Sequence, residues 1–242
     1  MENHATRLGV IVPPGNISIE REFLAYAPAG IGLHFNRLSR PVSVSSAESI
    51  LSMHASLERT AMDLAQCDPD LILFGCTSAS FLKGGDSFEN VSDFIWEKTS
   101  IRSISTSEAV IAAFRRLDIR TCFLLTPYPD EVNQGAVDYL GRHGIKCTGV
   151  DTFNCPHTDI TRAITTNQVV ERALGNGKAI KDAGALFISC TNLLSMEGIG
   201  CIEAELGVPV VSSNQATLFA GLDAINCKTP PLGVGRLFST IS

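Results

Sequence analysis

Residues 71–81, "LILFGCTSASF", and residues 185–194, "ALFISCTNLL", share one pattern: an apolar run that ends on a thiol followed by small polar residues. An unbroken run of branched and aromatic residues, without alternating polar positions, suits a strand buried on both faces of a parallel sheet. Laying Asp68 on Asp182, eight residues before each cysteine, puts Cys76 on Cys190, Thr77 on Thr191, Lys83 on Glu197 and Gly84 on Gly198. The match extends outward. Downstream, "RSISTSEA" (102–109) is similar to "PVVSSNQA" (209–216); upstream, "GVIVPPGN" (9–16) is similar to "CFLLTPYP" (122–129). Two similar halves are expected.

Short apolar runs predict strands at 8–12, 33–35, 70–75, 102–105, 121–125, 145–150, 185–189 and 209–211. Segments with helical spacing lie between them, the clearest being Ile50, His54, Leu57, Ala61 and Leu64, four and three apart. Strands alternating with helices imply parallel sheets covered by helices. The expected class is therefore α/β, with two pseudo-symmetric lobes, each a parallel sheet flanked by helices. Residues 1–115 form the first lobe, completed by 213–242, and 116–212 form the second. No Pro/Gly/Ser-rich linker separates them, so the lobes pack closely.

A chain of 242 residues with 45% hydrophobic content can bury a substantial core. Its net charge of −6, with no basic block, lacks the electrostatic footprint of a nucleic-acid binder. The start "MENHATRLGV" carries no apolar signal core, and nowhere do 18 apolar residues run uninterrupted, so no membrane partner is expected and the reading is cytoplasmic. The eight cysteines are spread through the chain, which fits reduced thiols better than a disulfide framework.

In open parallel sheets, ligands bind outside the carboxyl ends of the strands. If the halves are related by a pseudo-two-fold axis, Cys76 and Cys190 face each other across a cleft. A thiol at a strand-to-helix junction lies near the positive end of a helix dipole, which predicts a lowered pKa and a thiolate. Free backbone N–H groups there, with the side chains of Thr77, Ser78, Thr191 and Asn192, can hold a carboxylate or a developing enolate oxygen. Two thiols on opposite faces of one carbon can remove a proton from one side and return it from the other; alternatively, one thiolate adds to a conjugated double bond while the other thiol handles the proton. Neither route calls for a cofactor or a metal.

Other signals are weaker. Cys67, Cys122, Cys147, Cys155, Cys201 and Cys227 read as small packing residues. His157, near Cys155 and Cys147, fits no zinc spacing and reads as a loop histidine. "GNGKAI" (175–180) has Ala179 where a phosphate loop needs Ser or Thr, and reads as a helix end and turn. Tyr128 follows an apolar strand and points either into the cleft or out from a surface turn. Asn16 follows the first strand and is either a ligand-binding amide or a helix cap.

These residues resemble the Asp/Glu racemase superfamily, within it the branch holding maleate cis-trans isomerases and arylmalonate decarboxylases. The resemblance rests on "VPPGN", "GCTSASF", "TPYPDEVN", "SCTNLL", "ELGVPVVSSNQA" and "GVGRLF", in that order over nearly the whole chain. It implies a cofactor-free site between two lobes and a homodimer or higher homo-oligomer. It also implies Cys76 and Cys190 as the catalytic pair, Thr77, Ser78, Thr191 and Asn192 as carboxylate cradle, Tyr128 as oxygen donor and Asn16 as substrate-binding amide. The decarboxylases look like proteins with glycine at the position of Cys76, and without the asparagine seen as Asn16. The isomerases carry a second asparagine, whose place here falls on Thr158 or Asp159. "IVPPG", "YPDEVN" and "LFSTIS" are as close to the decarboxylases, and ectoine-utilisation racemases are similar too.

The function expected from sequence is a cofactor-independent isomerase or racemase of a small mono- or dicarboxylate using the cysteine pair. Two alternatives stand beside it: a malonate-type decarboxylase with Cys190 as proton donor, and a carboxylate-binding module without catalysis.

Overall fold

The eight apolar runs all become strands in the computed structural model, which describes residues 6–82, 88 and 90–241. They are β1 (Thr6–Val12), β2 (Ile31–Arg37), β3 (Leu71–Phe74), β4 (Ser103–Ser105), β5 (Thr121–Thr126), β6 (Lys146–Thr152), β7 (Leu186–Ile188) and β8 (Val210–Ser212). Between them run α1 (Ser18–Tyr26), α2 (Ala47–Leu51), α3 (Leu57–Ala65), α4 (Thr77–Phe81), α5 (Val91–Thr99), α6 (Thr106–Arg116), α7 (Asp130–Arg142), α8 (Thr158–Ala163), α9 (Thr166–Gly175), α10 (Gly177–Ala183), α11 (Met196–Leu206) and α12 (Ser213–Ala224). No helix among the described residues is long and apolar enough to cross a membrane.

The strands form two parallel four-stranded sheets of identical topology, β2-β1-β3-β4 and β6-β5-β7-β8. The register repeats as well. Ile11 sits beside Phe74 and accepts the Gly75 N–H at 2.8 Å; Leu125 sits beside Ile188 and accepts the Ser189 N–H at 2.9 Å. Each of those residues immediately precedes a cysteine, so the sequence repeat is also a repeat in space. Lys83 and Gly84, matched above with Glu197 and Gly198, lie outside the described residues.

The helices that follow β4 and β8 begin alike. Ser105 and Ser212 each accept a backbone N–H three residues on, and Glu108 and Gln215 return the bond, satisfying amides that an open helix end leaves unpaired. These helices, α6 and α12, pack side by side. The Thr217 hydroxyl donates to that of Thr106 at 2.9 Å, and both threonines are fully buried. One apolar cluster runs through both sheets, joining Leu8, Val10 and Leu73 to Leu124, Phe187 and Val211. Helix α12 packs on the first sheet: a Cβ on Gly221 would come within 3.0 Å of Leu73 Cδ1.

Three segments differ from their expected form. The edge strands β2 and β6 extend beyond their apolar runs, because none of their residues is fully buried and such positions admit Asn36, Asp151 and Thr152. The helical run from Ile50 to Leu64 is broken into α2, a 3₁₀ turn over Ser52–Ser56, and α3. The Ser52 and Ser56 hydroxyls donate to the carbonyls of Ser49 and Met53, at 2.8 and 2.9 Å, tightening the chain there. The tighter turn buries Met53 and leaves His54 only partly covered.

Candidate active site

Cys76 and Cys190 both line one cavity between the sheets, at the carboxyl ends of β3 and β7. The other six residues picked out from sequence, Asn16, Thr77, Ser78, Tyr128, Thr191 and Asn192, line it too. The cavity encloses about 60 Å³, room for only a few waters and hence for a small molecule. Its remaining walls are Pro13, Arg40, Ser45, Ile50, Met53, Thr158 and Thr161. Of the two placements for the second asparagine, Thr158 lines the cavity and Asp159 is exposed.

The two thiols sit on different backbones. Cys76 is the residue before α4, with extended φ −140° and ψ 102°, as expected for a strand-to-helix junction. Gly75 makes the approach possible: a Cβ there would lie 2.7 Å from Ile19 Cδ1 and 3.2 Å from the Ile11 carbonyl oxygen. Cys190, by contrast, is followed by a turn, and α11 starts only at Met196. The strand-to-helix reading therefore fails at Cys190. What faces its sulfur is the Asn192 N–H, donating at 3.3 Å.

The expected thiolates are also corrected. Burial pushes the Cys76 thiol up, against the opposing pull of the Ala79 N–H, the Ser78 hydroxyl and the positive charge of Arg40. Burial pushes Cys190 up to about 12, although the Tyr128 hydroxyl and the Asn192 N–H pull it down; neighbouring Cys76 and Cys155 push it further up. A five-residue helix and a single N–H contact do not offset the cost of charging a sulfur so deeply buried. Both thiols are protonated at rest. Tyr128 is likewise pushed well above the ordinary phenol range, by burial first and then by the Cys190 sulfur beside it.

Most of the polar side chains around the sulfurs are bonded within the protein. Asn16 Oδ1 accepts the N–H groups of Ser18 and Ile19 at 3.1 and 3.2 Å, so it does cap α1, while its Nδ2 donates to Thr191 Oγ1 at 2.8 Å. Thr191 Oγ1 in turn donates to the Gly75 carbonyl at 3.0 Å, joining the loop of one cysteine to the strand of the other. Ser213 Oγ accepts from Thr77 Oγ1 at 2.9 Å and from the Cys190 N–H at 3.1 Å, a second bridge between them. Asn192 Oδ1 accepts the Ile17 N–H at 3.1 Å. These bonds fix how the two sulfurs face each other. They leave to a ligand the backbone N–H groups of Thr77, Ser78 and Thr191, the second Asn16 amide hydrogen and the Ser78 hydroxyl, which lies 3.9 Å from the Cys76 sulfur.

Sequence reasoning missed Arg40, Ser213, Asn214 and Glu22. Ser213 and Asn214 lie inside the quoted repeat, at the start of α12, and that position was the available signal. Glu22 is buried; its carboxylate accepts the Ser195 and Met196 N–H groups at 2.5 and 2.7 Å and the Asn214 amide at 2.6 Å. Asn214 also donates to the Thr191 carbonyl at 3.1 Å, so Glu22 steadies the Cys190 loop from behind. Burial, outweighing these bonds, raises Glu22 from 4.5 to about 7. A carboxyl raised on folding binds its proton more tightly in the native state, so its stabilising share is complete below about 4.5 and is lost as pH climbs through 7. Between those limits the wild type should lose about 3 kcal/mol relative to Glu22→Gln, which does not titrate. Urea unfolding from pH 4.5 to 8 measures the difference, and parallel curves for the two proteins would refute it.

Fold and cavity together define a class: two-lobed α/β proteins in which each sheet presents a cysteine to one small shared cavity. A family profile described as arylmalonate decarboxylase matches residues 8–238, and the chain belongs to that family. It is similar to the maleate isomerase of Nocardia farcinica, 26% identical over 239 residues, covering 96% of this chain and 94% of that one. It is also similar to the arylmalonate decarboxylase of Bordetella bronchiseptica, 30% identical over 167 residues, 67% of this chain and 68% of that one. Among solved structures, a cysteine-to-serine variant of the Nocardia farcinica maleate cis-trans isomerase, with a covalently bound succinylcysteine intermediate, superposes with a TM-score of 0.87. It is 23% identical and covers 98% of this chain and 99% of that chain. These relatives are enzymes.

Proposed function

We propose that the protein is a cofactor-independent isomerase of a small unsaturated carboxylate, with Cys76 as nucleophile and Cys190 as general acid and base. The observation that carries this reading is the unequal setting of two thiols lining one cavity. Burial raises both thiols, but the charge of Arg40 draws Cys76 back toward the thiolate, whereas the sulfurs of Cys76 and Cys155 push Cys190 further toward its protonated form. That asymmetry suits one thiol for attack and the other for proton delivery better than it suits a symmetric two-base racemase.

In this reaction the Cys76 thiol gives up its proton to water and the resulting thiolate adds to one alkene carbon. The π electron pair moves to the neighbouring carbon, which takes the Cys190 proton and leaves Cys190 as a thiolate. The former double bond is then single and rotates. The Cys190 thiolate removes a proton from that same carbon, the C–H electron pair re-forms the π bond, and the carbon–sulfur bond breaks to release Cys76 as a thiolate, which takes a proton back from water. Thr77, Ser78 and Thr191 hold the carboxylate adjoining the reacting carbon through their backbone N–H groups and the Ser78 hydroxyl, because the Thr77 and Thr191 hydroxyls are engaged elsewhere, while Asn192 shapes the cradle with its N–H on the Cys190 sulfur and its side chain on Ile17. Tyr128 supports the Cys190 sulfur, and the second amide hydrogen of Asn16 completes the cradle. The succinylcysteine described for the Nocardia farcinica isomerase is the kind of adduct that this route requires.

A decarboxylase is the second reading, favoured by the family profile and by the Bordetella bronchiseptica relative. It is the weaker of the two, because a decarboxylase needs a single proton donor and leaves Cys76, the second thiol lining the cavity, without a role. The deciding experiment offers cis-unsaturated C4 acids and disubstituted malonates in parallel, followed by proton NMR and a CO₂ assay. Cis-to-trans conversion that stops in Cys76→Ala is expected. Release of CO₂ that survives Cys76→Ala would replace this function with decarboxylation by Cys190.

A further inference from the structure

We infer that Glu22 is a positioning residue whose ionised carboxylate, acting through Asn214, holds the Cys190 loop in its working arrangement, so that one buried proton sets the rate; this rests on the isomerase reading above. Glu22 stands on α1 and lines no part of the thiol cavity. Its bonds run to the segment that carries Cys190, and to Asn214, which grips that same segment. Oε1 accepts the Ser195 and Met196 N–H groups, and Oε2 accepts Asn214 Nδ2 at 2.6 Å. The same Asn214 nitrogen donates to the Thr191 carbonyl at 3.1 Å and to the Leu193 carbonyl at 3.4 Å. The chain from Thr191 to Met196 is thus held to one carboxylate at both ends.

Asn214 can make these bonds only while Glu22 is charged. Three acceptors surround Nδ2, which fixes the orientation of the amide. Oε1 already faces two N–H groups, so a proton on the carboxyl must settle on Oε2, where it meets the Asn214 hydrogens. Turning the amide over relieves that conflict. Asn214 Oδ1 is buried without a hydrogen-bond partner among the described residues, and it accepts the new proton once it has taken the place of Nδ2. The same turn sets this oxygen against the Thr191 and Leu193 carbonyls and removes their donor. The loop then loses its support.

Two demands on Glu22 therefore oppose each other. The network requires charge and burial requires neutrality, and the balance falls at about 7. The titratable and charged groups that face the carboxyl among the described residues are Arg21 and Tyr26, on its own helix, and Glu197 at the start of α11; α9 and α12 face it with the uncharged Thr166 and Asn214. Of these, Arg21 favours the carboxylate. With Arg21, Tyr26, Thr166 and Glu197, Glu22 lines a second hollow of about 220 Å³, separate from the thiol cavity, through which its proton can exchange. The consequence reaches the reacting groups. The Cys190 sulfur is held by the Asn192 N–H, and Thr191 offers its own N–H to the substrate carboxylate, so slack in this loop displaces both the proton donor and part of the cradle.

The test follows turnover of a cis-unsaturated C4 acid and the loop amides against pH on the intact protein. In the wild type, kcat should rise about 10- to 100-fold between about pH 5.5 and about pH 8.5 with its midpoint at about 7, while KM changes by less than about 3-fold because Thr77 and Ser78 still hold the acid. The isotope-labelled amides of Thr191 and Leu193 should shift in NMR spectra with the same midpoint. In Glu22→Gln both the step and the shift are absent, and kcat stays at the level of the wild type's acid limb. In Asn214→Ala the carboxyl still titrates, but neither the rate nor the loop amides follow it; this variant carries the test if the glutamine variant does not fold. A wild-type loop that does not respond near neutrality, a loop that responds while kcat stays flat, or a rate step that persists in Glu22→Gln overturns the role of Glu22 and leaves the isomerase reading standing. If the wild type turns over no such acid, the positioning role falls together with that reading.

Discussion

Replacing Cys76 by serine is expected to lower turnover by about 10³-fold or more while the fold and carboxylate binding persist. A serine hydroxyl in the same buried position has no base to activate it and is a far weaker nucleophile than a thiol. Its partner gives the complementary result. In Cys190→Ser, attack by Cys76 can proceed, but the proton step that completes turnover is slowed. A covalent adduct should therefore accumulate, visible by mass spectrometry as a gain equal to the mass of the acid, on the tryptic fragment that holds Cys76. Wild-type turnover in Cys76→Ser would end the nucleophile assignment. An adduct on Cys190 in the reciprocal variant would reverse the two roles. If both serine variants kept full activity and full ligand affinity, a binding module without thiol chemistry would be the better account.

The second large effect concerns stability. Phe187, in the centre of β7, is fully buried and meets Phe114 edge-on, with ring centroids 5.6 Å apart and planes at 83°. It also meets Phe81 at 6.5 Å and 74°. These rings come from helices that follow strands of the first sheet, whereas Phe187 belongs to the second. Phe187→Ala should cost about 3–5 kcal/mol, because the lost transfer energy is compounded by a void that neighbours from two sheets cannot collapse to fill. The same void lies three residues from Cys190, so activity should fall at temperatures well below the unfolding midpoint. Urea denaturation with an activity profile against temperature measures both. A loss below about 1 kcal/mol would mean that the two sheets are joined mainly by other contacts.

The legibility of the fold came from repetition. The run before Cys76 and the run before Cys190 read as the same buried strand, and they occupy the same place in sheets of the same order. Apolar periodicity survives into structure because a strand covered on both faces has no polar position to accommodate. It failed where that condition lapses. Edge strands β2 and β6 outran their apolar runs, and serines at 52 and 56 turned a predicted helix into two helices joined by a 3₁₀ turn.

The candidate site was readable in part for the same reason. The cavity collects all eight residues picked out from sequence, since seven of them lie at or just past the ends of apolar strands and Asn16 follows its own. Arg40 gave no such signal: in "LSRPVS" it reads as an ordinary solvated arginine. Glu22, on the buried side of α1, looked like one more helix carboxylate.

The sequence by itself determined the parallel two-lobed architecture and the equivalence of the strands that end at the two cysteines, because hydrophobic spacing and a repeated motif are properties of short segments. Tertiary structure alone decided the protonation of the thiols, which hydroxyls are already engaged, and which cation stands in the cavity. Those depend on how much water the packed lobes exclude and on which distant loops close over the strand ends, and neither is written in any single stretch of chain.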